Sequence, residues 1–312
     1  MIHVVHHPEY VAPPPARSTY RWGKNGAIRD LLRAEGGRIA WHEPDAAPRD
    51  WIEAAHDAGY VAEVIAAAVP REKERRTGFP ITPAVARRAQ MVPGGTYRAA
   101  RLALAHGFAA NTAGGSHHAL ADTGAGYCVF NDLAIAAIRL AEEGRRVLVV
   151  DVDVHQGDGT AALCAGHPGI ATYSIHAEKN FPVRKARSTL DVPLADGTGD
   201  DAYCAALADT LAPLLDGFGP DLILYQGGVD PFAGDRLGRL ALSDDGLARR
   251  DRLVAALAIA RGLPIASTVG GGYGDDVMAI ARRPVDVILR LGEAFDSATG
   301  FAAPDAARAR PL

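Results

Sequence analysis

Little in this chain supplies a staple, a membrane anchor or a charge of one sign. Three cysteines occur in 312 residues, Cys128, Cys164 and Cys204. They are odd in number and share no close ligand spacing, which argues against a disulfide scaffold and fits a reducing compartment. No stretch approaches 18 uninterrupted apolar residues, so no membrane span is expected. The N-terminal MIHVVHHPEY has neither the basic start nor the long apolar centre of a signal peptide, and a cytoplasmic protein is the expectation. A formal charge of −4 offers no general attraction to nucleic acid or anionic lipid, so neither is expected as a partner. No internal repeat of 20–50 residues is visible, and no low-complexity tract breaks the middle of the chain.

What is there reads as a folded enzyme: 48% hydrophobic and 22% charged residues, long enough to bury about three quarters of the unfolded surface. Short aliphatic runs end in polar or glycine-rich turns, the clearest being Val147 to Val150, Leu222 to Leu224 and Ile265 to Val269. Alanine- and leucine-rich stretches alternate with them: Thr96 to Ala105, Asp132 to Glu143, Tyr203 to Leu214 and Asp244 to Ala260. That alternation predicts an α/β fold, one domain over residues 1–312, with a mainly parallel central sheet and helices on both faces. Strands buried on both faces read as continuous apolar runs. Val11 to Arg17 and Val69 to Pro83 read as surface loops, with the mixed charges of Arg71 to Arg76 as a solvated face or mobile loop. The tail from Phe301 to Leu312 reads as frayed.

Ligands of parallel sheets sit at the carboxyl ends of the strands, where this chain places its unusual residues. Val147-Leu-Val-Val-Asp-Val-Asp-Val-His-Gln-Gly-Asp-Gly159 turns two carboxylates and an imidazole out of a buried strand. In extended chain, residues two apart share a face, so Asp151, Asp153 and His155 can point into one site and suit a divalent metal such as zinc. A capped strand end, with Asp158 starting a helix, also fits. Gly114-Gly-Ser-His-His places His117 and His118 after a diglycine, though such a pair also occurs on surfaces and in cores. Asp230 in Gly227-Gly-Val-Asp-Pro fits a strand-end acid or an Asp-Pro turn. Val269-Gly-Gly-Gly-Tyr-Gly274 sets Tyr273 among glycines directly after a buried strand, a place where a free linker is unusual.

In their order and spacing, these four segments resemble the histone deacetylase family. The resemblance runs from about residue 20 to about 295 and takes in His56-Asp-x-x-Tyr60, Gly94-Gly-Thr96 and Gly-Asp-Arg-Leu-Gly238. Gly78-Phe-Pro80 and Gly197-Thr-Gly-Asp200 look closest to small bacterial and class IV-like members. The resemblance implies an arginase/deacetylase-like fold and one Zn2+ on Asp153, His155 and Asp230. It implies acid/base histidines His117 and His118, backed by Asp151 and Asp158, and Tyr273 as oxyanion donor. It further implies substrate contacts at Gly126, Tyr127 and Gly271, with Phe181 as the aromatic candidate for the opposite wall. A structural K+ or Na+ is implied at Asp151, Asp153, His155, Ser174 and Ile175. The implied partner is an acylated lysine, polyamine or other small acyl-amine.

Two departures stand out. The class I arginine before the first long helix is missing from Gly23-Lys-Asn-Gly26, and no acidic rim residue is evident between Thr77 and Gly95. Two rival readings are an acyl-lysine or acyl-polyamine binding protein without catalysis and a binuclear ureohydrolase. The first would be expected to lose Tyr273 or a ligand, and the second needs further acidic ligands beside Asp153. Oligomeric state is not legible.

Overall fold

The computed structural model describes residues 1–15, 18 and 20–298. Eight strands form one sheet: β1 (Ile2–Val5), β2 (Ile39–His42), β3 (Phe108–Asn111), β4 (Val147–Asp151), β5 (Ile170–Ala177), β6 (Leu190–Leu194), β7 (Leu222–Gln226) and β8 (Ile265–Thr268). Their order is β2-β1-β3-β8-β7-β4-β5-β6, and every pairing is parallel. The expected single α/β domain with a parallel sheet is therefore present, and the three predicted strands are β4, β7 and β8.

Both faces of the sheet are buried. Leu148 and Val150 of β4 and Ile223 and Tyr225 of β7 pack into one core with Ile28, Leu207, Val254 and Val285. Val147, Val149, Leu222 and Leu224, one residue out of step, pack into the other with Val61, Ala99, Leu133 and Ile135. Alternate residues thus face opposite helical layers, which is why no polar alternation marks these strands. The first layer is built from helices Lys24–Arg33, Asp200–Phe218, Asp244–Ile259 and Val277–Ser297. Ala58–Ile65, Pro83–His106 and Asp132–Glu142 supply the second.

The loop expected over residues 69–83 is helical over about half of its length. Arg71–Thr77 is a helix, ended by Gly78 in the left-handed region at φ 97. Its first turn carries Glu72 and Glu74 and its last Arg75 and Arg76, the polarity that opposes the helix dipole. Lys73 pairs with Glu63 at 2.7 Å, and Glu74 Oε1 accepts the Ile81 N–H at 2.8 Å. A segment with no apolar stripe gives periodicity nothing to register. The helix expected over residues 96–105 starts earlier, at Pro83, where Thr82 accepts the Val85 N–H and proline stands in the first turn. Residues 11–15 carry neither helix nor strand, as expected, while the expected frayed tail lies outside the described residues.

The register positions the site. Asp151 lies opposite Ser174 on β5 and Gln226 on β7, and Gln226 lies opposite Thr268 on β8. The carboxyl ends of β4, β7 and β8 are therefore level, and the segments that follow them emerge side by side.

Candidate active site

Asp153 and His155 leave the end of β4, and Asp230 leaves the end of β7. One ligand-type atom from each lies within 4.8 Å of the others, and all three residues are buried. His155 Nδ1 stands 3.0 Å from Asp153 Oδ1 and 3.2 Å from Asp230 Oδ2. Burial, then the neighbouring Asp153 charge, pushes Asp230 up to about 7. Burial opposes charge on His155 too, but the two carboxylates outweigh it and raise the imidazole to about 10. Asp230 is thus short of positive charge, and its Oδ2 is buried with no hydrogen-bond donor among the described residues. That orphaned oxygen, beside a nitrogen and a second carboxylate, fits a divalent cation with mixed oxygen and nitrogen ligands.

The ligands are held from behind. Asp153 Oδ2 accepts from Gln226 Nε2 at 2.7 Å and from the Gly271 N–H at 2.8 Å. Asp230 Oδ1 accepts from the Val154 N–H at 2.8 Å. Gly271, expected among the substrate contacts, is buried against the ligands, and a Cβ there would collide with Asp230 Oδ2. Under both loops lies Arg250, fully buried, whose Nη1 donates to the Gly228 carbonyl at 2.7 Å. Its charge is balanced by Asp251, which also accepts from Tyr225 and Arg290. Gln226 and Arg250 were not singled out from the sequence. For Gln226 the available signal is a fully buried amide at the end of an apolar strand.

Replacing Gln226 with leucine removes an orienting donor without touching a ligand. Metal affinity is expected to fall about 10–100-fold, the usual cost of losing an outer hydrogen bond to a ligand. Zinc titration against a competing chelator measures this, and unchanged affinity would show that Gln226 does not orient Asp153.

The two histidines stand beside the cluster with rings 4.0 Å apart. His117 Nδ1 is 2.7 Å from Asp151 Oδ2, and His118 Nδ1 is 2.6 Å from Asp158 Oδ1. Asp158 also begins the helix Asp158–Leu163. The environments differ. Burial lowers His117, but Asp151 and Asp153 outweigh it and raise the ring to about 9. Burial and then the adjacent His117 charge lower His118 to about 4. Ser174 faces Asp151 across the β4–β5 pair, with its hydroxyl 3.0 Å from His176 Nδ1, and Ile175 follows it on β5.

The motifs without an assigned role hold the histidine loop. Gly114 and Gly115 take φ of 86 and 80, and a Cβ on Gly115 would stand 2.7 Å from Gly270 Cα. Asp132 receives the N–H groups of Gly115 and Ser116 at 3.1 and 2.7 Å and the Thr96 hydroxyl at 2.6 Å. His56 bridges Leu120 O and Asn131 N at 2.8 and 2.9 Å, and Tyr60 donates to Val129 O at 2.8 Å. Burial lowers His56 to about 4, so its neutral form is the one folding favours. Its stabilisation is complete above the unfolded value of 6.5 and is lost as pH falls toward 4, on the order of 3 kcal/mol at full protonation. The melting temperature is expected to fall from pH 7 to pH 5, and His56→Gln should start lower with a shallower fall. Parallel curves would remove His56 from the acid response.

Tyr273 follows β8 in the glycine turn, and its N–H is fixed by Asp235 Oδ2 at 2.7 Å. Its ring lies 6.4 Å from that of His155, and its hydroxyl has no hydrogen-bond partner among the described residues. Lys24 Nζ, buried beneath the turn, reaches the carbonyls of Gly270, Gly271 and Gly272 at 3.2, 3.1 and 3.4 Å. Burial lowers this amine to about 8 against the pull of Asp230 and Asp153. The stretch that lacks an arginine therefore still places a cation at the turn.

A cavity of about 450 Å³ opens over these groups, bounded by His118, His155, Tyr273, Gly126, Tyr127 and Phe181 among others. Tyr127 holds φ 68, uncommon for a side chain this large, and its N–H is bonded to Thr77 O at 2.8 Å. Phe181 lines the same cavity and stands edge-on to His118, with centroids 4.8 Å apart.

A parallel α/β sheet with this cluster of carboxylates and imidazoles at its carboxyl edge defines a deacetylase-type fold. The chain belongs to the histone deacetylase family, whose domain profile matches residues 21–285. An uncharacterized protein of Picosynechococcus sp. is 42% identical over 284 residues, 90% of this chain and 95% of that one. Histone deacetylase 2 of Arabidopsis thaliana is 32% identical over 206 residues, 64% of this chain but 53% of its own length. This chain thus spans about half of that plant relative. The crystal structure of the HDA15 HD domain superposes with a TM-score of 0.78 over 94% of this chain and 90% of that chain, at 21% identity, and it shows the shared fold.

Proposed function

We propose that this chain is a zinc-dependent deacylase that hydrolyses the amide of an acyl-amine such as N-acetyl-lysine. The observation that carries the reading is one convergence: Tyr273 and the carboxylate-backed His117 and His118 meet the Asp153, His155 and Asp230 cluster at the foot of an aromatic-walled cavity. A divalent ion held by those three residues would polarise the acyl carbonyl and acidify a water. The chain's own groups handle the protons. His118, neutral at pH 7, takes a proton from the water that attacks the carbonyl carbon. As the C–N bond breaks, that proton passes to the departing nitrogen, leaving an amine and a carboxylic acid, whose remaining proton goes to the amine or to solvent at pH 7 to give ammonium and carboxylate. Asp158 on Nδ1 holds the ring in the tautomer this requires. His117, protonated beside Asp151, supplies positive charge near the carbonyl. Tyr273 donates its hydroxyl to the carbonyl oxygen as that oxygen gains charge. Asp151, Asp153, His155, Ser174 and Ile175 would hold a K+ or Na+ behind the site.

Around Asp153, the Gln226 amide and the Gly271 N–H occupy the outer oxygen, which favours one divalent ion over the two of a ureohydrolase. A cytoplasmic setting is supported by three free cysteines. Among the described residues no helix is long and apolar enough to cross a membrane. The test is zinc-loaded protein with a neutral acetyl-lysine peptide. Equimolar acetate and amine are expected. Binding without acetate release, at one zinc per chain, would turn the reading to a binding protein.

A further inference from the structure

The mouth of the cavity carries charge of one sign, against the sign of the chain as a whole. Arg76, Lys179 and Arg239 line it, and among the described residues no aspartate or glutamate does. The chain as a whole is −4. The cations lie on both walls. Arg76 lies in the last turn of the helix Arg71–Thr77, and its carbonyl accepts the N–H of Gly126, next to the Tyr127 wall, at 3.1 Å. Lys179 precedes Asn180 and the Phe181 wall, and Asn180 Oδ1 accepts the Arg239 N–H at 3.0 Å. Arg239 shares its charge with Asp196 at 3.1 Å, while neither Arg76 nor Lys179 is in an ion pair among the described residues. Both are exposed, so their charges face whatever approaches. The Lys179 turn continues into Arg184 and Arg187, also without ion pairs among the described residues.

We infer that this mouth selects acyl-lysine in an acidic peptide, with carboxylates flanking the acylated residue, and rejects polyamines and lysine- or arginine-rich tails. The inference rests on the deacylase reading and names the substrate class of that site. An acylated nitrogen is neutral, so the groups beside it carry the charge the rim meets. Charges on the rim of a site act mainly on encounter and on the choice between partners, and salt screens them. A spermidine chain or a basic tail brings further ammonium groups to Arg76 and Lys179, whereas aspartates at the same places are drawn in.

The experiment compares three acetyl-lysine peptides, alike except for acidic, neutral or basic flanks, together with N-acetylspermidine. At low salt kcat/KM for the acidic peptide is expected to exceed that for the basic one by about tenfold or more, and the ratio should approach one near 1 M salt, where the Debye length is about 3 Å. In the Arg76→Glu, Lys179→Glu double variant the order should invert, with melting temperature as the check on folding. Equal rates, a preference for the basic peptide or the polyamine, or an acidic preference that survives the double variant would each overturn the inference. The neutral peptide tests the deacylase reading separately. If it is not cleaved, affinities of the same labelled peptides for the zinc-loaded Tyr273→Phe protein, read by fluorescence anisotropy, decide the mouth on the same criteria.

Discussion

His118→Ala is expected to lower turnover by about a hundred- to ten-thousandfold, the range that a positioned acid/base group contributes. The expectation comes from the different surroundings of two adjacent imidazoles. His118 is lowered to about 4 by burial and the His117 charge, so at pH 7 it is free to accept a proton. His117 is raised to about 9 by Asp151 and Asp153 against burial, so at pH 7 it already carries one. Each Nδ1 is committed to its carboxylate, at 2.7 Å for His117 and 2.6 Å for His118, which leaves the other ring nitrogen for chemistry. Only His118 also lines the open cavity and meets Phe181. His117→Ala should therefore cost less in turnover, through loss of a fixed positive charge. Single-turnover rates of the two zinc-loaded variants decide between them, and equal losses would leave the division of labour without support.

Tyr273→Phe is expected to cut turnover about a hundred- to thousandfold, or about 2.7–4 kcal/mol in the barrier, as loss of one oxyanion donor does elsewhere. The ring's contacts do not need the hydroxyl: Asp235 holds the backbone N–H, and Tyr127 packs at 5.8 Å between centroids. Without a hydrogen-bond partner among the described residues, the hydroxyl has little to contribute to stability. The melting temperature should then stay within about 2 °C, the shift produced by about 0.5–1 kcal/mol in a domain of this size. Substrate KM should change little, because the hydrogen bond strengthens only as charge develops on the oxygen. Near-normal turnover in a well-folded Tyr273→Phe preparation would sink the proposed chemistry. A large drop in melting temperature with normal turnover of the folded fraction would make the tyrosine structural.

The parts legible in the sequence are those whose signal is local. Val147 to Val150, Leu222 to Leu224 and Ile265 to Val269 are continuous apolar runs because both faces of β4, β7 and β8 are covered, and each is followed within a few residues by its functional groups. The spacing of Asp151, Asp153 and His155, the paired histidines and the glycine-set tyrosine were equally local. Arg71–Thr77 was not legible, since a helix charged on every side has no apolar period. Gln226, Asp132, Lys24 and Arg250 were missed because each acts on a partner distant in the chain: Asp153, the Gly115–Ser116 backbone, the turn before Tyr273, and the Gly228 carbonyl.

By itself, then, the chain's sequence determined that three segments, now β4, β7 and β8, are strands, which side chains follow their carboxyl ends, and which residue types are present for metal and proton chemistry. Only the tertiary structure decided which of those ends are neighbours. A parallel strand's apolar run records that it is buried, but not what lies beside it, because the crossover to its neighbour passes over a whole helix. The order β3-β8-β7-β4-β5 brings Gly271 to Asp153 across 118 residues of chain and His117 to Asp151 across 34. The same folding gathers Arg76, Lys179 and Arg239 from three separate segments onto one rim. A charge pattern of that kind has no sequence period, since it exists only where distant loops meet.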